Sequence, residues 1–492
     1  MENLFVTIAA INDKINSIVW GIPMLVLIIS TGVYMTVRTN FFQVTKAKYV
    51  NQETFFAIFT KKSVTKTDDK KSISQFQALS TALAATIGTG NIAGVASAIT
   101  IGGPGAVFWM WVSAFFGMMT NYSENVLGIF YRRKNDRNEW SGGAMYYIEQ
   151  GLKEKAGFRH VAKPLAVTFS IFCVLASFGI GNMTQVNSIA GALNGSFGIK
   201  PIVTGITIAV ISSLVIVGGI KRIGQVTEKI VPFMALAYIL GTIFILINNF
   251  NQIPEVFASI FKGAFGFDAV AGGISGTLIK QAVTMGFKRG VFSNEAGLGS
   301  SVMVHSSSDV KEPVIQGMWG IFEVFFDTII VCTLTAFTVL STGALETGLA
   351  GVPLVSAAFS HGFGDLAGKF VSLAILLFAF STVLGWSFYG TKATEYLFGT
   401  KYTIVYKVLF IIFIVVGSTM SLDLAWNISD TLNGLMAIPN LIGVLLLSGT
   451  VVNITKDYVN RNIKNVKSKK EPLLSAYEDI NAEHSKYVFE NN

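Results

Sequence analysis

Charge is the scarcest ingredient of this chain: 13% of its 492 residues are Asp, Glu, Lys or Arg, about half the share in soluble domains, which is roughly 25%. That excludes an ordinary soluble protein. Cysteine is nearly absent. Cys173 and Cys332 each lie inside an apolar run, where a small buried hydrophobe is expected and a disulfide framework has no support. The four histidines, His160, His305, His361 and His484, are far apart and none belongs to an H-E-x-x-H motif, which removes the intramembrane metalloprotease reading. No G-x-x-x-x-G-K-[ST] loop occurs, so nucleotide-driven work is not expected. The first residues include Glu2, Asp13 and Lys14 rather than a basic leader, and no Ala-x-Ala cleavage site follows. The first apolar run is therefore expected to stay as a span.

What the chain has in abundance is apolar length. Hydrophobic residues make up 51%, glycine contributes 48 residues, and the mean hydropathy is +0.56. A hydrocarbon core about 30 Å thick takes roughly 20 helical residues. Runs of that length predict eleven helices, near 17–37, 78–100, 105–131, 165–190, 201–220, 229–249, 272–304, 315–341, 368–394, 402–421 and 430–453. The expected fold is an all-α polytopic membrane protein.

An odd number of spans puts the termini on opposite sides, and the basic residues choose which. With the N-terminus outside, the inner connectors and tail hold 30 of the 37 Lys and Arg, and the outer loops hold four, Lys14, Lys200, Lys262 and Lys369. Basic residues in short loops resist translocation, so the expectation is N-out and C-in. The net charge of +8 reflects this topology and gives no reason to expect a nucleic-acid partner. The stretch 464–471 (KNVKSKKE) reads as solvated or lipid-facing, and the segment 454–492 as a disordered basic tail.

Two segments break the rules for a lipid-spanning helix. Residues 84–94 (AATIGTGNIAG) place Gly88 and Gly90 around a hydroxyl and beside an amide, and residues 290–300 (GVFSNEAGLGS) follow Ser293, Asn294 and Glu295 with Gly297 and Gly299. Such polar, glycine-rich backbone is tolerated at membrane depth only against protein or a watery cavity. Close helix packing through Gly90 and Gly94 is the competing explanation, but it leaves Thr89 and Asn91 unaccounted for. The breaks fall in the second and seventh predicted helices. That spacing fits two five-helix inverted repeats, the arrangement in which broken helices mark a transporter's central site. The implied organisation is an extra helix with a basic connector over 1–77, a first repeat over 78–249, a second over 250–453 and the tail over 454–492.

Ionisable residues within or beside the predicted spans are Glu124, Lys288, Arg289, Glu295, Glu323 and Asp327. Each is a functional candidate by default, because an unpaired charge at membrane depth is costly. Glu323 and Asp327 are four apart, on one helical face, where like charges repel unless a cation or a proton intervenes. A gate or ion-pair network of these six is expected. A raised carboxyl pKa would instead serve a proton-coupled mechanism.

The stretch 102–117 (GGPGAVFWMWVSAFFG) resembles the signature of the sodium:alanine (alanine or glycine:cation) symporter family, as do GTGNIAG at 88–94, GNMTQ at 181–185 and KRGVFSNEAGLGS at 288–300. The resemblance implies a leucine-transporter-like core of ten helices in two inverted repeats, preceded by one extra helix, in the cytoplasmic membrane of a bacterium. It also implies alternating-access uptake of a small neutral amino acid with Na⁺, without an organic cofactor, an enzymatic step or an obligate protein partner. By the same resemblance Thr89 and Gly90 would receive the substrate carboxylate and Asn91 would orient them. Gln185 would wall the pocket, Phe292 and carbonyls up to Asn294 would receive the ammonium, and Trp386 would cap the volume. Na⁺ would sit between the carbonyls of Ala84 and Ile87 and the hydroxyls of Ser381 and Thr382. A proton-coupled carrier or exchanger on the same fold remains the alternative, and a passive channel a remoter one, since broken helices in matched halves are a poor fit to a filter or a charged ring.

Overall fold

The computed structural model describes residues 2–266, 275–420, 422–466 and 471–491. The chain folds as a helical bundle whose principal helices are α1 (Glu2–Val19), α2 (Ile22–Arg38), α3 (Gln75–Thr86), α4 (Gly90–Gly102), α5 (Gly105–Phe130), α6 (Ala144–Lys153), α7 (Arg159–Phe197), α8 (Pro201–Ile216) and α9 (Gly219–Asn248). They continue with α10 (Ile253–Phe265), α11 (Ser275–Asn294), α12 (Pro313–Ser341), α13 (Gly351–Phe363), α14 (Ala367–Phe398), α15 (Thr403–Thr419), α16 (Leu422–Leu446), α17 (Ser448–Tyr458) and α18 (Glu478–Asn491). A two-stranded hairpin, β1 (Arg133–Lys134) against β2 (Trp140–Ser141), follows α5.

Among the described residues each run expected from the sequence contains helix, yet the runs differ in kind. Among the described residues, seven helical stretches are long and apolar enough to cross a membrane, and the bent pair α3 and α4 makes an eighth. The helices Gly105–Phe130, Pro201–Ile216 and Ser275–Asn294 in the runs 105–131, 201–220 and 272–304 do not reach that standard. In α5 the reason is visible: Thr120, Asn121, Ser123, Glu124 and Asn125 are all buried, so this helix faces protein and has no need to be apolar throughout. The lipid-facing helices show the opposite pattern. Val210 and Leu214 of α8 and Phe233, Leu240 and Ile247 of α9 are more than half exposed, which in water would be an aggregation surface and in a bilayer is the favourable contact.

Three expectations need correction. The run 17–37 is not an isolated helix: α1 precedes it and packs along α16, with Asn16 Nδ2 donating to Thr431 Oγ1 at 3.0 Å and Trp20 Nε1 to the Asp430 carbonyl at 2.8 Å. The run 272–304 is not one helix. Residues 272–274 lie outside the described residues, and α11 stops at Asn294. The tail is not a disordered segment, because α18 docks on the basic connectors and buries His484; of the stretch 464–471, residues 467–470 lie outside the described residues.

The broken helix α3 sits at the centre, between α9 and α14, while α5 runs between α11 and α12. Its start is fixed locally. Ser74 accepts from the Gln77 amide and the Gln77 side chain accepts from the Ser74 amide, at 3.1 and 3.2 Å, a reciprocal cap of the type worth about 1 kcal/mol.

Candidate substrate and ion site

The first break lies between α3 and α4, which are bent by 50°. Ile87 turns the chain extended, with ψ of 90°, and Gly88 follows in a position with no room for a side chain. A Cβ there would stand 2.5 Å from Thr382 Oγ1 and 3.2 Å from Gln185 Oε1. The Gly88 amide donates to Asn91 Oδ1 at 2.9 Å, and Asn91 Nδ2 donates to Asp327 Oδ1 at 2.7 Å. The Thr89 amide reaches Gln185 Oε1 at 3.3 Å. Thr89 Oγ1 is buried without a hydrogen-bond partner.

The second break follows α11. Glu295, Gly297 and Gly299 have φ of 58°, 93° and 71°, so three residues within five take a left-handed backbone that side chains other than glycine adopt reluctantly. Side chains satisfy the freed backbone. Glu124 Oε1 accepts from the Gly299 amide at 3.2 Å, Asn440 Nδ2 donates to the Gly297 carbonyl at 2.9 Å and also to Glu124, and Asn294 Oδ1 accepts from the Ala296 amide at 3.0 Å. Glu295, the one non-glycine among the three, is held by Ser300 Oγ at 2.5 Å and Trp386 Nε1 at 2.7 Å.

The two breaks touch. A Cβ on Gly90 would lie 3.2 Å from the Phe292 ring and 3.4 Å from Ser293 Cα. Asp327 ties them together, accepting from Asn91 of the first break and, at 2.8 Å each, from Ser293 Oγ of the second and Thr328 Oγ1. On the other side of α3, four oxygens converge. Ser381 Oγ lies 3.3 Å from the Ala84 carbonyl, and Thr382 Oγ1 lies 3.0 Å from that carbonyl and 3.5 Å from that of Ile87. Both hydroxyls also lie within reach of the Phe378 carbonyl, at 2.8 and 3.0 Å. Each can therefore give its proton to Phe378 and turn a lone pair toward a cation. Oxygen donors of this kind suit a hard cation.

A cavity of about 580 Å³ lies between α4, α7 and α13, with Arg289 and Trp426 in its wall. Trp426 stacks on Phe292 with ring centroids 4.9 Å apart, and the Arg289 guanidinium lies 5.0 Å from the Trp426 ring. Asp430 holds this layer, meeting Arg289 Nη1 at 3.2 Å and Lys288 Nζ at 2.7 Å.

The six ionisable residues thus do not form one network. Lys288 and Arg289 pair with Asp430 on α16, not with Glu295. Glu323 faces His305 Nε2 at 2.9 Å, and Glu124 serves the second break. The expected like-charge face of Glu323 and Asp327 is dissolved by a wide turn over Phe325–Cys332. Hydrogen bonds there reach five residues back, so the two carboxylates find separate partners. Sequence reasoning missed three participants. Asp430 was the first residue of an expected span, Trp426 fell outside it, and His305 was read only as an isolated histidine. The Lys288–Arg289 pair was the available signal, since two adjacent cations at membrane depth call for an acid.

Paired broken helices enclosed by a lipid-facing bundle define an integral membrane transporter. Residues 5–472 match the sodium:alanine symporter family, and the chain belongs to that family, whose members are symporters and not enzymes. It is 48% identical over 453 residues to the sodium/alanine symporter AgcS of Methanococcus maripaludis, covering 91% of this chain and 96% of that one. It is 38% identical over 437 residues to the amino-acid carrier protein AlsT of Bacillus subtilis, covering 88% and 89%. Among solved structures, a Na⁺-coupled sialic acid symporter in its substrate-bound outward-open state superposes with a TM-score of 0.51 at 13% identity, over 96% of each chain. That likeness is one of fold.

Proposed function

We propose that the chain imports a small zwitterion such as alanine or glycine together with Na⁺, N-terminus outside, by alternating access of two five-helix repeats. One observation carries the reading: the start of α4 and the end of α11 meet in the buried centre of the bundle, beside a cluster of oxygens on α3 and α14. A helix N-terminus carries partial positive charge and a C-terminus partial negative charge. The amides of Thr89 and Gly90 are therefore suited to a carboxylate, and the carbonyls from Phe292 to Asn294 to an ammonium. Gln185 Oε1 occupies the amide of Thr89, and a substrate carboxylate oxygen would take its place. Asn91 keeps the loop in register by holding the Gly88 amide and Asp327 together. Phe292 limits the volume directly, while Trp386 acts through Glu295 and fixes the second break.

Na⁺ among the oxygens of Ala84, Ile87, Ser381 and Thr382 would join α3 to α14 just before the first break. The same ion would stabilise the loop shape that receives the carboxylate, so each ligand raises the other's affinity by the same factor. Uptake of radiolabelled L-alanine into proteoliposomes tests this, under an inward Na⁺, K⁺ or H⁺ gradient and with Asn91→Ala and Ser381→Ala. Accumulation driven by Na⁺ alone, lost in Asn91→Ala and shifted to higher Na⁺ in Ser381→Ala, is expected. Uptake driven by the H⁺ gradient without Na⁺ would replace this reading with the proton-coupled carrier.

A further inference from the structure

On the side that carries the basic connectors, the two broken helices are fastened to each other. The Ile73 amide donates to the Ser307 carbonyl at 3.1 Å, and the Asp309 amide donates to the Ile73 carbonyl at 3.0 Å. Ile73, two residues before α3, is thereby stitched to the segment that follows the second break. Arg132, fully buried, adds a second fastening. Its guanidinium donates to the carbonyls of Ser306 and Ser308, at 3.1 and 2.5 Å, and to that of Val310. Alternating access has to open this clasp for release on this side.

The tail lies over the clasp. Its approach is anchored by the Ala476 amide, which donates to the Phe130 carbonyl at 2.9 Å. α18 then sets His484 against Trp140, ring centroids 6.0 Å apart, while the Arg132 guanidinium lies 4.1 Å from the same indole. His484 is 1% exposed and neither ring nitrogen has a hydrogen-bond partner. We infer that the C-terminal helix is a latch that holds the cytoplasmic clasp shut while His484 is neutral, and that acidification of the cytoplasm releases it.

The chemistry follows from what surrounds the ring. Arg132 and Lys134 face it from the connector after α5, and Lys311 from the segment before α12. The acids of this neighbourhood are Asp69 and Asp309 beside Arg132, and Glu483 of α18 itself beside Lys311. Burial first, and then the charges of Arg132, Lys311 and Lys134, push the imidazole pKa from its ordinary 6.5 down to about 3. A group whose pKa is lower in the docked state takes up a proton on release. Docking is therefore at full strength above about pH 6.5 and weakens by roughly tenfold per unit as the pH falls below it. The latch rests on the transport reading for its purpose and for which side is cytoplasmic, but its docking can be measured without transport.

The test is amide hydrogen exchange of residues 478–488 in the full chain in lipid nanodiscs, corrected for intrinsic rates, at pH 7.5 and 5.5. Protection should fall by about tenfold in the native chain. His484→Phe, which keeps a ring against Trp140 and cannot titrate, should stay protected at both values, and His484→Arg should be unprotected at both. Native protection that is equal at the two values, or a pH dependence that survives in His484→Phe, overturns the latch. In proteoliposomes, H484R should raise Na⁺-driven alanine turnover at internal pH 7.5 several-fold over the native chain. Turnover that is unchanged, in a variant whose tail is unprotected, removes the brake. Exchange that behaves as stated, with no Na⁺-driven uptake by any variant, would instead refute the transport reading and leave the latch in place.

Discussion

The two helix breaks use the same ingredients to opposite ends. At the second, three left-handed residues free several backbone groups, and Glu124, Asn294 and Asn440 satisfy them at 2.9–3.2 Å. At the first, one amide makes only a 3.3 Å contact with Gln185 and the Thr89 hydroxyl has no partner. On the proposed reading the turn after Asn294 is braced as scaffold and leaves the carbonyls before it to the ammonium, whereas the first break, left under-satisfied, keeps its hydrogen bonds for the carboxylate. Buried polar groups without partners are costly, and cost of this kind concentrates where function needs it.

Three substitutions would sharpen or break this contrast. The largest effect is expected for Gly88→Ala. Its Cβ would press on Thr382 Oγ1 and Gln185 Oε1, disturbing the proposed ion and substrate positions together. Uptake should fall by at least about 100-fold, the cost of roughly 2.7 kcal/mol, in protein that still folds and melts only a few degrees lower, since overpacking costs about 1–3 kcal/mol. A variant that transports normally would show that the first break has room to spare and is not the site.

Glu124→Ala comes next, and its effect should be on stability. It strands the Gly299 amide and removes the acceptor of Asn440, each loss being worth about 1–3 kcal/mol. The melting temperature should drop by several degrees while the surviving folded protein keeps its apparent alanine affinity. A shifted affinity with unchanged melting would mean that Glu124 takes part in ligand binding rather than bracing the turn after Asn294.

The smallest effect is expected for Ser381→Ala, because Thr382 still offers a hydroxyl to both carbonyls. Half-saturation for Na⁺ should rise by about tenfold, which is about 1.4 kcal/mol, and alanine affinity measured at fixed Na⁺ should weaken in step. Isothermal titration of each ligand at several concentrations of the other checks this. Weaker Na⁺ binding with unaltered alanine binding at every Na⁺ concentration would separate the oxygen cluster from the substrate loop.

Much of this was legible in the sequence because membrane physics is nearly one-dimensional. A run of about 20 apolar residues has few ways to satisfy its backbone other than as a helix, so each of the eleven runs contains helix among the described residues. The glycines at 88, 90, 297 and 299 announce the breaks for the same reason. Partner choice was not legible. Glu323 and Asp327 are four apart in the sequence, and only the wide turn after Val324 separates them, one facing His305 and the other Asn91. Asp430 lies 141 positions from Arg289, a separation that no local pattern spans. The tail misled most, since a short basic segment reads as solvated unless something apolar is known to receive it, and Trp140 with the Phe130 carbonyl does so only in the folded chain.

Hydropathy and backbone freedom made the membrane-spanning character and the positions of the two breaks legible in the sequence, while the ion and substrate candidates came from the resemblance of its motifs to the symporter family. The tertiary structure alone decided that the breaks meet at Gly90 and Phe292, that Asp327 joins them, and that the cations of α11 answer to α16. Those are contacts between distant segments, fixed by how helices pack and not by what each helix is made of.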